Sequence, residues 1–392
     1  MSESSALRTR SFPLGAAVTL AELDADPAPV LAQLRAVEPV SWVPALGAWL
    51  ITSRALAVEA MRDAETFTVD DPRFSTAAVL GTSMLSLDGA EHERHRAPFG
   101  PAFRPNMVRQ QFEEYLVSEA HRLVSAVVAS EGGDLRTQLA GPLAVNTIVQ
   151  FLGLETVRAD DVLHWYAEIS DAIVGIASGV DIPASCKAVV ADVAGRVEQT
   201  IANGADHLLS HLAADGRLSA EELVTETVVV MFGAIETSEG MTANALRHLL
   251  VDPDVTERVR ADRSLVADVV EESLRLEPAA AVVDRYATRS VDFGGALIAE
   301  RDLVEISLLG ANRDPAVFER PDDFVIDRPN VRQHVSFVQG PHGCLGLHLA
   351  RLETVAAINA VLDAGLVLDA AATTCPSGLI FRKPSSVAVT VD

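Results

Sequence analysis

The apolar positions of this chain change their period along its length, and the period predicts the elements. From 20 to 37, Leu23, Val30, Leu31 and Leu34 recur at helical spacing, with Pro27 and Pro29 near the start. Runs 40–43 and 48–52 read as two strands joined by a turn containing Pro44 and Gly47. A short helix follows over 55–63. The stretch 67–88 has no clear period, and a loop of that length inside a compact domain is often functional. From 89 to about 202 the pattern is mostly helical, punctuated by Gly132, Gly133 and Pro183. Ser219 and Glu222 then form a capping box, which opens a proline-free segment reaching Asp252 and Pro253. That is a helix of roughly 31 residues, or about 46 Å. Being apolar along most of 224–235, it should run through the core.

Two more helices are predicted over 255–261 and 265–276. Short strands follow over 281–287, 291–293 and 303–307, then coil over 311–330. Beyond position 344, Leu345, Leu349, Leu352, Val355 and Ala356 mark another long helix, and 366–368, 379–381 and 387–391 read as a terminal small sheet. Helices and strands are segregated, not alternating, so the expected fold is mostly α with small β-sheets. Residues 1–12 are expected to be a loose polar segment. Residues 13–392 are expected to form a single domain, its helical bulk at about 89–277 and its sheets near 40–53, 281–307 and 366–391.

Charge narrows the partners. The 392 residues include 55 Asp and Glu against 31 Lys and Arg, a formal charge of −24, which argues against a nucleic-acid partner. The longest apolar run, 228–235, is too short to span a bilayer, and the N-terminal residues show no apolar leader. No membrane association and a cytoplasmic location are therefore expected. Cys186, Cys344 and Cys375 stand at unrelated spacings, which makes a disulfide framework unfavoured and suits a reducing compartment.

One of these cysteines carries the chemistry. Positions 337–346 read F-V-Q-G-P-H-G-C-L-G, an irregular stretch running directly into a helix. A thiolate at a helix N-terminus is stabilised by first-turn N–H groups and the helix dipole, and it is a good ligand for a soft or borderline metal. For an isolated cysteine the simpler account is a buried side chain beside a loop. Further motifs count against that account. Glu272 and Arg275 lie three residues apart on one helix, so their side chains can meet. His92 and Arg96 share a helix face four residues apart. Gly233, Glu236 and Thr237 interrupt an apolar helix, and such violations tend to mark function. Thr237 is placed to hydrogen-bond the Gly233 carbonyl and open the helix slightly.

The spacing F-x-x-G-x-x-x-C-x-G through Phe337, Gly340, Cys344 and Gly346, together with E-x-x-R and G-A-I-E-T, resembles the cytochrome P450 family over essentially all of 40–392. The resemblance implies the cytochrome P450 fold, with haem b between the long helix and the Cys loop. It implies Cys344 as axial thiolate to the iron, and Phe337, Gly346 and Ala234 against the cofactor. His92, Arg96, Arg285 and His342 fall where the family places donors for the haem propionates. Thr237 becomes a hydrogen-bond donor toward dioxygen, and Glu236 a proton relay. Glu272 and Arg275 become a structural ion pair. Its usual third member is an Arg at the place of Asp323, which leaves Arg320 and Arg328 as replacements. Val338 stands where the family usually has Gly, so a local backbone adjustment is expected. Arg94 and His95 are expected on other helix faces, in solvent.

By the same resemblance, substrate should be lined by 67–86, 165–180, 232–237, 280–283 and 379–381, with Phe232, Ile235, Val282, Val283, Ile380 and Phe381 as wall residues. That lining implies a largely apolar small organic molecule such as a natural product, terpenoid, steroid or aromatic. No G-x-G-x-x-G follows a strand, so electrons are expected from a separate ferredoxin and ferredoxin reductase. Arg94, Arg104 and Arg351 are candidate contacts for that partner, and the chain is expected to be a monomer. The implied activity is haem-thiolate monooxygenation. The alternatives are a peroxide-driven or atypical oxidative catalyst and a non-catalytic haem binder.

Overall fold

The computed structural model describes residues 3–154, 157–177, 181–204 and 207–391. Its axis is the helix Ala220–Leu250, 31 residues long, with the Ser219–Glu222 capping box formed in both directions. Its buried positions include Val228, Val229, Met231, Ile235 and Leu246, so it runs through the largest apolar core. Helices Pro105–Ala129, Gly141–Leu152 and Leu347–Ala364 contribute to the same core. The Thr242 and Thr354 hydroxyls lie 2.9 Å apart, joining the central helix to Leu347–Ala364 inside that core.

The strands form small sheets set apart from the helical bulk, as expected. The largest has five strands in the order Val40–Val43, Ala48–Ile51, Leu303–Ser307, Val282–Ala287, Phe67–Thr68. Only the Ala48–Ile51 and Leu303–Ser307 pair runs parallel. This sheet has its own core, built on Trp42, Trp49, Ile51 and Ile306. Three further small sheets hold the remaining strands. Among the described residues, no helix is long and apolar enough to cross a membrane.

Among the departures of the structure from the expectations, four stand out. Residues 20–37 are two helices, Leu20–Ala25 and Ala28–Val37, because Pro27 and Pro29 start a new helix. Loop 67–88 contains the short helix Ser75–Leu80. The strand expected at 379–381 lies at Lys383–Pro384 instead, and Phe381 makes only an isolated bridge to Ala280. The N-terminal segment is not a loose tail: Glu3–Ser11 is helical, and Arg8 pairs with Asp302 at 2.7 Å and packs over the rings of Trp42 and Trp49. A polar composition hides this, because a charged guanidinium helps make the attachment.

Candidate active site

The Cys loop is folded by its own backbone. Cys344 N–H donates to the Phe337 carbonyl at 2.8 Å, and Gly343 N–H to that of Gly340 at 3.1 Å. Gly340 has φ +78°, and a Cβ there would meet the Met61 carbonyl oxygen at 2.6 Å. Only glycine satisfies both conditions. Val338, where the resemblance predicts glycine, takes φ +61°. The expected adjustment does not occur: the valine adopts the left-handed backbone that glycine would adopt freely, a strained state for a β-branched residue. Its side chain packs against the core of the five-stranded sheet. Phe337 carries the Arg351 guanidinium over its ring at 4.5 Å. Gly346 caps Leu347–Ala364, and a Cβ there would stand 3.9 Å from Cys344 Sγ. Enclosure by the surrounding fold pushes the Cys344 thiol pKa up, while Gly346 and Leu347 N–H groups and the charges of Arg96 and Arg351 pull it down. Those last four are the groups that stabilise a thiolate.

Cys344 is exposed although its loop is packed into the molecule, and so is Gly233 in mid-helix, where an added Cβ would meet nothing within 4 Å. Both therefore border open space inside the fold. Ala234 packs against the main core beside it. Thr237 Oγ1 donates to the Gly233 carbonyl at 2.5 Å, as its position predicts.

The expected donors gather beside the loop. Arg96 Nη2 donates to the Gly343 carbonyl. The His92 and His342 rings lie 4.4 Å apart. Burial, then the neighbouring His342 and Arg96, lower the His92 pKa to about 4, so the ring is neutral. Among the described residues its Nε2 is buried with no partner, and so is Nη2 of Arg285. Buried donors are rarely left unpaired. His342 differs from the other three: its Nε2 lies 2.8 Å from Asp88 Oδ1, a carboxylate that also accepts from Thr68 Oγ1 at 2.6 Å and from Val69 N–H at 3.0 Å. The sequence reading did not include Asp88.

Glu236 is less free than its sequence position implies. Its carboxylate accepts from Tyr166 Oη at 2.5 Å and faces Lys383 Nζ at 2.9 Å. Lys383 also pairs with Glu239 at 2.8 Å, and Glu239 with Arg136 at 2.7 Å. Burial and the Glu236 charge raise the Tyr166 pKa, so the phenol stays a donor. Glu239 sits three residues beyond Glu236 and was legible in that sense. Lys383 and Arg136 come from distant segments and left no signal.

The six expected wall residues do not share one cavity. Phe232 and Ile235 line a cleft with Trp165, Tyr166 and Ile169. Phe381 faces Phe232 with ring centroids 6.2 Å apart. Val283 packs against the core of the five-stranded sheet. Val282 and Ile380 line a separate cavity with Leu31 and Leu50. Side chains alternate along a strand, so adjacent residues serve opposite faces. Of the expected lining 165–180, residues 178–180 lie outside the described residues.

The Glu272–Arg275 pair is bidentate, with both N···O distances 2.8 Å and both side chains fully buried. Arg328 is the third member: its Nε lies 3.1 Å from each Glu272 oxygen. Arg320 instead faces Asp323, exposed to solvent. His95 is not in solvent either. It is buried, with Nδ1 2.7 Å from Glu226 Oε1, and Arg94 holds Glu222 at 2.6 Å. The signal that could have found this pair is Glu226 itself, an acid on the buried face of the central helix. Arg351 is held by Glu271 at 2.5 Å.

The chain matches the profile of the cytochrome P450 family over residues 184–364. It is 32% identical to cytochrome P450 107B1 of Saccharopolyspora erythraea, over 83% of this chain and 84% of that one. The chain belongs to the cytochrome P450 family. This P450 is likewise 32% identical to the cytochrome P450 monooxygenase PikC of Streptomyces venezuelae, over 86% of this chain and 84% of PikC. Its fold matches the crystal structure of CalO2 with a TM-score of 0.85 at 28% identity, covering 95% of this chain and 99% of CalO2. CYP109B1 from Bacillus subtilis gives 0.82 at 26%, covering 94% and 100%. The family is one of haem monooxygenases with a cysteine thiolate as axial ligand, and this P450 is such an enzyme. Its residues fit haem. A thiol on an amide-lined loop, an apolar helix wall over Gly233, and buried unpaired donors on His92 and Arg285 suit an iron, a flat macrocycle and two carboxylates.

Proposed function

We propose that this P450 inserts one atom of dioxygen into a largely apolar small organic molecule, with Cys344 holding the haem and electrons arriving from a separate ferredoxin. The observation that carries the reading is the position of the Thr237 hydroxyl on the Gly233 carbonyl, at the one exposed turn of an otherwise buried helix segment. Bound haem supplies the oxidising chemistry that dioxygen and two electrons require. His92, Arg96 and Arg285 would hold its carboxylates: His92 Nε2 and Arg285 Nη2 are buried donors with no partner among the described residues, and the half-buried Arg96 lies near His92. His342 acts through Asp88, orienting it beside Arg285. Released from the Gly233 carbonyl, the Thr237 hydroxyl donates a hydrogen bond toward dioxygen. Glu236 moves protons to that hydroxyl from Lys383, which Glu239, itself held by Arg136, keeps in place at a half-buried position. The aliphatic and aromatic wall at Phe232 and Ile235 excludes water and favours an apolar substrate.

The test is Thr237→Ala in the haem-loaded enzyme, supplied with ferredoxin and ferredoxin reductase. Product formed per reductant consumed should fall at least about ten-fold, within the range of a lost proton-transfer group, while reductant consumption continues. An unchanged product yield would sink the proton-relay assignment.

A further inference from the structure

Behind the five-stranded sheet lies a cavity of about 160 Å³ with unusual chemistry. Alternation along Val282–Ala287 puts Arg285 on one face of the strand and Val282 and Asp284 on the other. The second face borders this cavity, so it is separate from the donors grouped around the Cys loop. Its walls are aliphatic, with Leu31, Leu46, Leu50, Leu379 and Ile380 contributing, and one acid, Glu305, opens into it.

The other polar wall residues are already engaged. Ser307 Oγ accepts from Gly310 N–H at 2.9 Å. Arg382 spends its guanidinium on Glu277 and on the carbonyls of Leu23, Asp24, Gly378 and Pro376. Glu305 makes no hydrogen bond or ion pair among the described residues. Directly across the antiparallel register stands another acid, Asp284, and on its other side the parallel strand offers only Leu50. Like charges directly opposite in a sheet destabilise it. Burial, reinforced by Asp284, pushes the Glu305 pKa up to about 8. A hydrophobic or amide side chain at 305 would make a more stable sheet, so the acid calls for another explanation.

We propose that this cavity binds a small organic cation, an alkylammonium whose chain packs on the leucines and whose charge sits against Glu305. The volume suits it: an apolar cavity of about 150 Å³ takes a benzene-sized ligand. Charge complementarity selects the cation. Within the sheet Glu305 has only an acid and a leucine beside it, and the one cation on the cavity wall, Arg382, is held elsewhere. The reading is independent of the haem-site assignment, because it uses no residue from that site.

The probe is butyltrimethylammonium, whose alkylated nitrogen has no lone pair to offer iron, with 1-butanol as the neutral control. Isothermal titration of the haem-loaded enzyme at about pH 9, where Glu305 is ionised, should show one saturable site for the cation and none for the alcohol. The Soret band should stay unchanged. Glu305→Gln should weaken binding by about ten-fold or more, as loss of a buried charge partner does. Ile380→Trp should weaken it too by filling the rim, and at 55% exposure this position tolerates the larger ring. It keeps the test open if the sheet variant fails to fold. Absence of saturable binding to the parent, equal binding to a folded Glu305→Gln, or a Soret shift on titration would each overturn the proposal.

Discussion

Two groups of buried charges in this P450 are built on opposite plans. Around Glu272, every valence is used. Its two oxygens take Arg275, Arg328 and the Val325 N–H at 2.9 Å, and the two guanidiniums turn their spare donors to the carbonyls of Asn312, Pro321, Asp323, Glu319 and Arg320. Beside the Cys loop, donors are left over on His92 and Arg285, although both residues are as buried as the brace. A saturated cluster is finished by folding and ties segments together. An unsaturated one is finished only by something that arrives later. Saturation, more than burial, separates the structural charges of this molecule from those awaiting a ligand.

The largest effect that tests this contrast is at the brace. Glu272→Ala leaves two guanidiniums buried without a carboxylate and should cost about 3–5 kcal/mol, read from urea unfolding of the haem-loaded protein. A cost below 1 kcal/mol would mean that the carbonyls alone satisfy both arginines. Arg285→Met asks the converse question. It should leave the unfolding of the haem-free protein unchanged or stabilised, yet speed transfer of haem to a scavenger by about ten-fold, the size of one lost charge-assisted hydrogen bond. Equal loss in both measurements would place Arg285 with the brace.

A third experiment uses an acid that belongs to neither group. Glu353, on the helix after Cys344, is buried, with no cation near it and no partner for Oε1 among the described residues; the Thr147 hydroxyl beside it falls short of hydrogen-bond geometry. Burial pushes its pKa from 4.5 up to about 8. The folded state therefore keeps this proton longer than the unfolded chain does. The stability it contributes is complete below about pH 4.5 and is lost as pH rises through about 8. Glu353→Gln should flatten the fall in Tm over that window, and an equally steep fall in the variant would assign the dependence to other groups. The smallest effect is expected at Val338→Gly. Relief of a left-handed valine, about 1–2 kcal/mol, is offset by about 0.5–1 kcal/mol of glycine entropy and by lost packing. Stability should stay within about 1 kcal/mol of the parent. A loss above about 2 kcal/mol would make the Val338 side chain a packing anchor strong enough to hold the strain.

Much of this was legible from residue order, where the physics is local. A capping box and thirty-odd proline-free residues specify the central helix, because caps and periodicity act within a few positions. The Thr237–Gly233 bond is a contact four residues back on the same helix. The pairing of Glu272 with Arg275 is likewise set by helical spacing. Cys344 in its glycine-bounded loop specifies a thiolate at a helix start, and with the other motifs it specifies the family. What tertiary structure decided lies between distant segments. Arg328 became the third member of the brace, in preference to Arg320, because it is 56 residues from Glu272 in sequence and within 3.1 Å in space. Lys383 and Tyr166 claimed Glu236 across separations that no spacing rule reaches. Val282 left the expected pocket because strand alternation turned it to the other face, and Ile380 joined it there from the bend between two short strands. His95 went into the core because Glu226 was waiting there. Helical neighbours can be counted along a chain. Partners across a core are chosen by packing, and only the folded molecule shows which buried charges found one.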